Sequence, residues 1–231
     1  MPDGVDTDNL TKKATTSVIG FQIFMGLLLF LPAWTVRFWE AWVYWTLFSV
    51  SSALATLHLL KHDPELLERR LKAGPIAEPQ RSQKIIQTLA ALAWCGLNVV
   101  PGVERHFHLS IIPAPLVVVG DMLVGVGFLI MFLALRENKY AASIVEVRPD
   151  QRVISTGPYG IVRHPMYSGG VLMILATPLA LGSLWALACA GLLCGIIVAR
   201  LIAEERYLSQ NLLGYEEYCR KVSDRLIPHV W

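Results

Sequence analysis

Long apolar stretches separated by short polar segments dominate the chain. A bilayer hydrocarbon core about 30 Å thick is crossed by roughly 20 apolar residues of helix. Four stretches have this length and composition: Ser17–Val36, Phe38–Leu60, Ile85–Val103 and Ala114–Leu135. Each of them is predicted to form a membrane-spanning helix.

A fifth apolar block, from Met166 to Ala199, has an intermediate length. As one straight helix it would be about 50 Å long, which is too long for one span and short for two. The pairs Thr177-Pro178 and Gly182-Ser183 offer a break near its middle. The block therefore predicts a tight helical hairpin, with limbs Met166–Leu181 and Leu184–Ile202.

The basic residues support this arrangement. With six membrane helices, 18 of the 20 Lys and Arg residues fall on one side, and only Arg37 and Arg105 fall on the other. Loops rich in Lys and Arg are usually cytoplasmic. We therefore predict an all-α, multi-pass transmembrane fold of about six helices, ending in the hairpin. Both termini would be cytoplasmic, in a bacterial inner membrane or the endoplasmic reticulum.

Composition narrows the function classes. The chain of 231 residues is 54% hydrophobic and only 16% charged, and its mean hydropathy is +0.49. These values exclude a disordered chain and argue against an ordinary soluble enzyme. A net charge of +2 does not suggest nucleic-acid binding. The four cysteines form no Cys-x-x-Cys pair, which argues against structural zinc.

Two of the predicted cytoplasmic segments have a recognisable character. Asp63 and Pro64 are typical of a helix start and Gly74 of a helix end, so a short amphipathic helix is expected at the membrane surface. The connector from Arg136 to Arg163 has 28 residues, against about 2–8 between helices of a bundle. It is expected to be ordered, with a turn at Gly157-Pro158-Tyr159-Gly160.

The first candidate for chemistry lies at the start of the hairpin. Pro165 suits a helix N-terminus because its missing N–H needs no partner there. Arg163 and His164 would then flank the positive end of the helix dipole, a place that favours a carboxylate or another anion. Tyr167 and Gly169 follow, and a glycine lets another backbone or a flat ligand approach.

The second candidate lies where the hairpin returns to the same membrane face, from Arg200 to Tyr207. Adjacent helical residues point about 100° apart, so Glu204 and Glu205 should have different partners. If Glu204 pairs with Arg200 four residues earlier, Glu205 is the freer ligand. Spacing alone leaves open the alternative that these side chains extend to the membrane interface and have no functional role.

At these residues the chain resembles a known family. The residues that carry the resemblance are Gly157-Pro158-Tyr159, Arg163-His164-Pro165-x-Tyr167-x-Gly169, Glu204-Glu205, and the tail with Tyr215-x-x-Tyr218 and Ile227-Pro228. Together they resemble the isoprenylcysteine carboxyl methyltransferase family, which is related to the membrane phospholipid methyltransferases. The resemblance covers about residues 135–231, and the first two spans carry no matching motif.

The resemblance implies a cytoplasm-facing site for S-adenosyl-L-methionine and no metal. The cofactor-binding residues that it implies are Gly157, Tyr159, Arg163, His164, Pro165, Tyr167, Gly169, Glu204 and Glu205. Arg200, five residues before Glu205, resembles the arginine that faces the methyl acceptor. An amine or hydroxyl acceptor would also need a proton sink, for which Glu205 and His164 are candidates.

The acceptor is expected to be lipophilic and to enter sideways from the bilayer. It would be an isoprenylcysteine carboxylate, a lipid or a thiol, with membrane lipids as neighbours and no nucleic-acid partner. The hairpin glycines would leave room for it, and Arg200 would hold its polar head. The glycines in question are Gly169, Gly170, Gly182 and Gly195. The oligomeric state stays open.

Two other functions compete with this one. An NADPH-dependent membrane reductase of the sterol-reductase type shares a similar Arg-His-Pro turn, but usually has Asn where this chain has Met166. A transporter would favour internal repeats with broken helices, and the sequence shows no such repeat.

The sequence is divided into two predicted parts, residues 1–84 and 85–231. The first holds two membrane helices and the amphipathic segment, and the second is the methyltransferase core with its cofactor site at 135–231. Asp121 lies inside the fourth span, where an ionisable residue is a functional suspect by default. A buried hydrogen bond or a water contact is its simpler explanation.

Overall fold

The structure, a computed structural model, describes residues 6–71, 81–141, 147 and 151–231. These residues form eight α-helices, one 3-10 turn and no strand, which confirms the all-α prediction for this part of the chain. The helices are α1 (Thr7–Ala33), α2 (Trp39–His62), α3 (Pro64–Leu71), α4 (Arg81–Phe107), α5 (Ala114–Glu137), α6 (Pro165–Ala180), α7 (Ala186–Asn211) and α8 (Tyr215–Lys221).

Five of these helices are long and apolar enough to cross a membrane, namely α1, α2, α4, α5 and α7. The sixth apolar helix, α6, has 16 residues and is therefore only about 24 Å long. Large apolar side chains such as Leu31, Leu54 and Leu92 are exposed on the outer faces, as expected for helices that face lipid. The chain is thus an integral membrane protein, and a count of six spans with cytoplasmic termini stays a prediction.

The helices overrun the predicted spans where polar residues can continue them. Helix α1 begins at Thr7, because Asp6 caps its first turn by accepting a hydrogen bond from Asn9 N at 3.2 Å. Its polar first turns are also held by contacts, since Leu10 and Ala14 are buried against α3. Helix α7 continues past Ile202 to Asn211 and so carries both candidate glutamates.

The short helix α3 closes one end of the bundle. Its predicted start is confirmed, because Leu66 N donates to the Asp63 carboxylate at 2.9 Å. Leu66 and Leu67 are buried in a cluster with Leu59 of α2 and Leu135 of α5. The predicted helix end at Gly74 lies outside the described residues.

The connector between α5 and α6 is described only in part, since residues 142–146 and 148–150 are outside the described set. The turn predicted at Gly157–Gly160 is present as a 3-10 turn. Gly157 has φ +55°, a left-handed conformation that favours glycine.

Helices α6 and α7 form the predicted hairpin. Their connection runs from Leu181 to Trp185, and Gly182 in it has φ +64°. Glu104 of α4 holds this turn by accepting hydrogen bonds from the Ser183 hydroxyl and from Trp185 N. The two helices run antiparallel, because residues at the start of α6 contact residues near the end of α7.

Candidate functional site

Glu205 is the centre of an ion cluster at the start of α6. Arg163 Nε and His164 Nε2 each lie 3.2 Å from Glu205 Oε1, and Arg225 Nε donates to Glu205 Oε2 at 2.8 Å. The Glu205 side chain is only 11% exposed. Two arginines and one histidine, drawn from the end of the connector and the C-terminal tail, therefore surround one buried carboxylate on α7.

Glu204 lies in a second, separate group on the next position of α7. Its Oε2 accepts a hydrogen bond from the Tyr167 hydroxyl at 2.6 Å, and Arg200 Nε donates to the same hydroxyl at 3.1 Å. The prediction that the two glutamates have different partners is confirmed. The expectation that Glu205 is the freer carboxylate is wrong, because its Oε1 lies beside Arg163 and its Oε2 accepts a hydrogen bond from Arg225.

The C-terminal tail is docked on the start of α6 through backbone hydrogen bonds. Arg163 N donates to Asp224 O at 2.9 Å, and His164 N donates to Arg225 O at 3.0 Å. The Ser168 hydroxyl adds a third bond, to Leu226 O at 2.6 Å. These bonds fix Arg225 beside Glu205, and one of them satisfies the N–H of His164, the N-cap residue of α6, which has no partner within the helix.

Three tyrosines form a wall next to the ion cluster. Tyr159 is buried, and the Tyr218 hydroxyl of α8 donates to its carbonyl oxygen at 2.8 Å. Burial raises the pKa of the Tyr159 phenol to about 12, so this hydroxyl stays protonated at neutral pH. Tyr215 packs beside Tyr218, and its buried hydroxyl has no hydrogen-bond partner among the described residues.

Gly157 brings the 3-10 turn close to the end of α5. A Cβ atom at Gly157 would lie 3.2 Å from the Glu137 carboxylate, and Thr156 donates a hydrogen bond to the same carboxylate. The turn is therefore anchored to α5, and this places Tyr159 at the site.

Gly169 allows another backbone to approach closely, which is one of the two possibilities that the sequence analysis gave for it. A Cβ atom there would lie 2.6 Å from Gly127 O on α5, and one at Gly127 would lie 2.7 Å from Gly169 O. The expectation that Gly169 leaves room for a ligand is therefore wrong, because the backbones of α5 and α6 already occupy that space. Gly182 lies in the hairpin turn at the other end of α6, whereas Gly170 and Gly195 face open space.

The structure brings together most of the residues that the sequence predicts, and adds others. The predicted residues that meet at the start of α6 are Tyr159, Arg163, His164, Pro165, Tyr167, Arg200, Glu204 and Glu205. Sequence reasoning missed Arg225, which lies 20 residues beyond Glu205 in the tail. Its only signal was its place inside the tail motif, between Tyr218 and Pro228.

Asp121 does not belong to this site. It is buried in α5, and neither carboxylate oxygen has a hydrogen-bond partner among the described residues. A buried hydrogen bond to another residue is therefore wrong as its explanation for the described part of the chain, and a water contact stays a prediction.

Comparison with known proteins agrees with the motifs. Residues 116–213 match the phospholipid methyltransferase family. The chain is also 25% identical over 126 residues to protein-S-isoprenylcysteine O-methyltransferase B of Arabidopsis thaliana. That similarity covers 53% of this chain and 61% of the relative, so the chain spans less than two thirds of the relative's length. The resemblance predicted from the motifs is confirmed, and the family match includes α6 and both glutamates of α7.

Proposed function

We propose that this protein is a membrane methyltransferase that uses S-adenosyl-L-methionine and a lipophilic acceptor. The observation that carries the proposal is the convergence of Arg163 and His164 on Glu205, 3.2 Å away, within a region similar to membrane methyltransferases. These residues are far apart in the sequence, and they meet at one membrane end of the helix hairpin.

The side chains at this site match the polar groups of S-adenosyl-L-methionine. Its carboxylate needs a cation, for which Arg163 and Arg225 are placed, and His164 is a further hydrogen-bonding group beside them. Its ammonium group and ribose hydroxyls need acceptors, for which Glu204 and Glu205 are candidates. The buried Tyr215 hydroxyl, which has no hydrogen-bond partner among the described residues, is a further polar group available to it. The donor set therefore fits this cofactor.

The cofactor supplies an electrophilic methyl group bound to a sulfonium. A carboxylate oxygen of the acceptor would form the new C–O bond with its lone pair, while the breaking C–S bond leaves its electrons on sulfur as a neutral thioether. No proton moves in this step, so the protein needs no general base for it. What the chain contributes is alignment, which is worth several kcal/mol of barrier when the reactants are held in line.

Arg200 and Tyr167 are proposed to face the acceptor. Arg200 Nε already donates a hydrogen bond to the Tyr167 hydroxyl, and that hydroxyl donates one to Glu204. This chain of hydrogen bonds fixes the guanidinium at the end of α7. A fixed cation there would orient an acceptor carboxylate.

The orientation of the chain follows the same proposal. The site lies at the end of the bundle where the Lys- and Arg-rich segments are found, and such segments are usually cytoplasmic. S-adenosyl-L-methionine is polar and would reach this end from the cytosol. The lipophilic acceptor would reach it from the bilayer.

Ligand protection against heat distinguishes this function from the reductase alternative. The purified protein in detergent is heated with S-adenosylhomocysteine, with NADPH or with neither. We expect S-adenosylhomocysteine at 100 times its dissociation constant to stabilise the fold by about 2.7 kcal/mol. Protection by NADPH alone would instead favour the reductase.

A further inference from the structure

A cavity of about 150 Å³ lies at the end of the bundle opposite the ion cluster. The start of α2, the end of α4 and the turn between α6 and α7 form its walls. The turn packs beside α2, since a Cβ atom at Gly182 would lie 3.9 Å from Glu40 Oε1. The ion cluster lies at the start of α6, and that helix of 16 residues is about 24 Å long. The cavity is therefore separate from the proposed methyl-transfer site.

The lining of this cavity combines apolar walls with two carboxylates. Its apolar residues include Phe38, Pro101 and Leu181, and its acidic residues are Glu40 and Glu104. Glu104 is buried, and its oxygens accept hydrogen bonds from neutral donors, namely two serine hydroxyls and one backbone N–H. These bonds hold the Glu104 carboxylate in place but bring no positive charge into the cavity.

Glu40 makes the weaker contacts of the two carboxylates. Its side chain is 12% exposed, and its Oε2 is buried with no hydrogen-bond partner among the described residues. Arg105 Nη1 lies 3.9 Å from Glu40 Oε1, which is beyond hydrogen-bond distance. The Arg105 guanidinium is held by other groups, because its Nη2 donates to Arg37 O at 2.9 Å and its Cζ lies 5.8 Å from the centre of the Phe38 ring. A shielded carboxylate with so little compensation is costly unless a cation pairs with it.

Charge and size indicate which cation fits. With His108 neutral, the lining has one guanidinium against two carboxylates. No group of three or more His, Cys, Asp or Glu side chains in the described part of the chain is placed to hold a metal ion. The volume of about 150 Å³ is that of about five water molecules, and several walls are apolar. An ammonium group on a short carbon chain suits this combination.

We propose that this cavity binds a small primary ammonium ion. The N–H groups of the ligand donate to the Glu40 carboxylate, and its carbon chain lies against Phe38 and Leu181. Two sources present such a group at a membrane surface, a free alkylamine and the head group of an aminophospholipid. The site is distinct from the methyl-transfer site at the other end of α6, so the proposal does not depend on the proposed function.

Calorimetric titration of the delipidated protein in detergent tests the proposal. The free-amine probe is n-propylammonium, and its matched control is N,N,N-trimethylpropylammonium, which has the same charge but no N–H to donate. A hydrogen bond to a charged group is worth about 10- to 150-fold in affinity. We therefore expect the trimethyl ion to bind at least about 10-fold more weakly than n-propylammonium. Equal affinities for the two ions would overturn the proposal.

Variants place the ammonium group at Glu40. Glu40→Gln should weaken binding of n-propylammonium by about 10- to 150-fold, and a melting curve on the same sample should show that the variant is folded. Glu216→Gln, an exposed glutamate in the first turn of α8, is the matched control and should bind like the wild type. Arg105→Gln removes the guanidinium of the lining and should strengthen binding. An unchanged affinity in Glu40→Gln, or a weaker one in Arg105→Gln, would contradict the assignment.

Two short-chain lipids distinguish the sources of the ammonium group. Dioctanoylphosphatidylethanolamine carries a primary ammonium, and dioctanoylphosphatidylcholine carries a trimethylammonium; both are titrated in mixed micelles. Tighter binding of the ethanolamine lipid than of n-propylammonium, with the same loss in Glu40→Gln, would identify a lipid head group as the ligand. Binding of n-propylammonium without binding of the ethanolamine lipid would identify a free amine. If neither binds, or if both lipids bind equally, the cavity is not an ammonium site.

Discussion

Replacement of Glu205 by Gln removes the charge at the centre of the ion cluster. The Arg163 side chain is only 9% exposed, so its guanidinium would keep a positive charge in a poorly hydrated place. Removing one partner of a buried ion pair costs about 3–5 kcal/mol, and Gln retains an acceptor oxygen, so we take about 3 kcal/mol. For a domain of this size that lowers the melting temperature by about 6–12 °C.

Thermal unfolding in detergent, followed by tryptophan fluorescence, measures this loss. The matched control is Glu204→Gln on the adjacent position, where the carboxylate accepts from the neutral Tyr167 hydroxyl. A hydrogen bond to a charged group contributes about 1.5–3 kcal/mol, and Gln keeps an acceptor oxygen for the hydroxyl without stranding a buried cation, so the control should shift less. The same Glu205 variant should bind S-adenosylhomocysteine about 10- to 150-fold more weakly. An unchanged melting temperature for Glu205→Gln, or a larger shift for the control, would refute the cluster as described.

Three further predictions concern the fold around the site. Gly169→Ala should destabilise the protein by about 1–3 kcal/mol through overpacking, while Gly170→Ala, which has open space around its Cβ, should leave the melting temperature unchanged or slightly raised, because Ala is the better helix former. Asp121→Asn should raise the melting temperature, because it replaces a buried carboxylate that has no hydrogen-bond partner among the described residues with a neutral side chain; a large drop would show that the charge is needed. Reporter fusions after Arg105 should read outside and fusions after Trp231 inside, and the reverse result would refute the proposed orientation.

The helices could be predicted from the sequence because apolar length is a local property. The four spans and the hairpin all coincide with helices of the structure, and the Asp63 cap was predicted from residue type alone. The helix ends were less predictable, because α1 and α7 continue into polar sequence. What extends α1 is packing of Leu10 against α3, a contact between segments far apart in the chain.

Only the site residues that belong to a recognised motif were predicted from the sequence. Arg163, His164 and Glu205 could be named together from a resemblance, but which glutamate is enclosed depends on where Arg225 lies after the tail docks. The role of Gly169 likewise depends on Gly127 of another helix. Contacts of this kind depend on tertiary packing, and the spacing of residues within one segment does not predict them.

Transfer of a labelled methyl group tests the central claim most directly. Membranes containing the protein are incubated with tritiated S-adenosyl-L-methionine and either N-acetyl-S-farnesylcysteine or a total lipid extract, and the organic phase is counted. The proposed function predicts organic-soluble label with the wild type, and much less with Glu205→Gln or Arg200→Gln. Wild-type membranes that transfer no more label than membranes without the protein, for either acceptor, would contradict it.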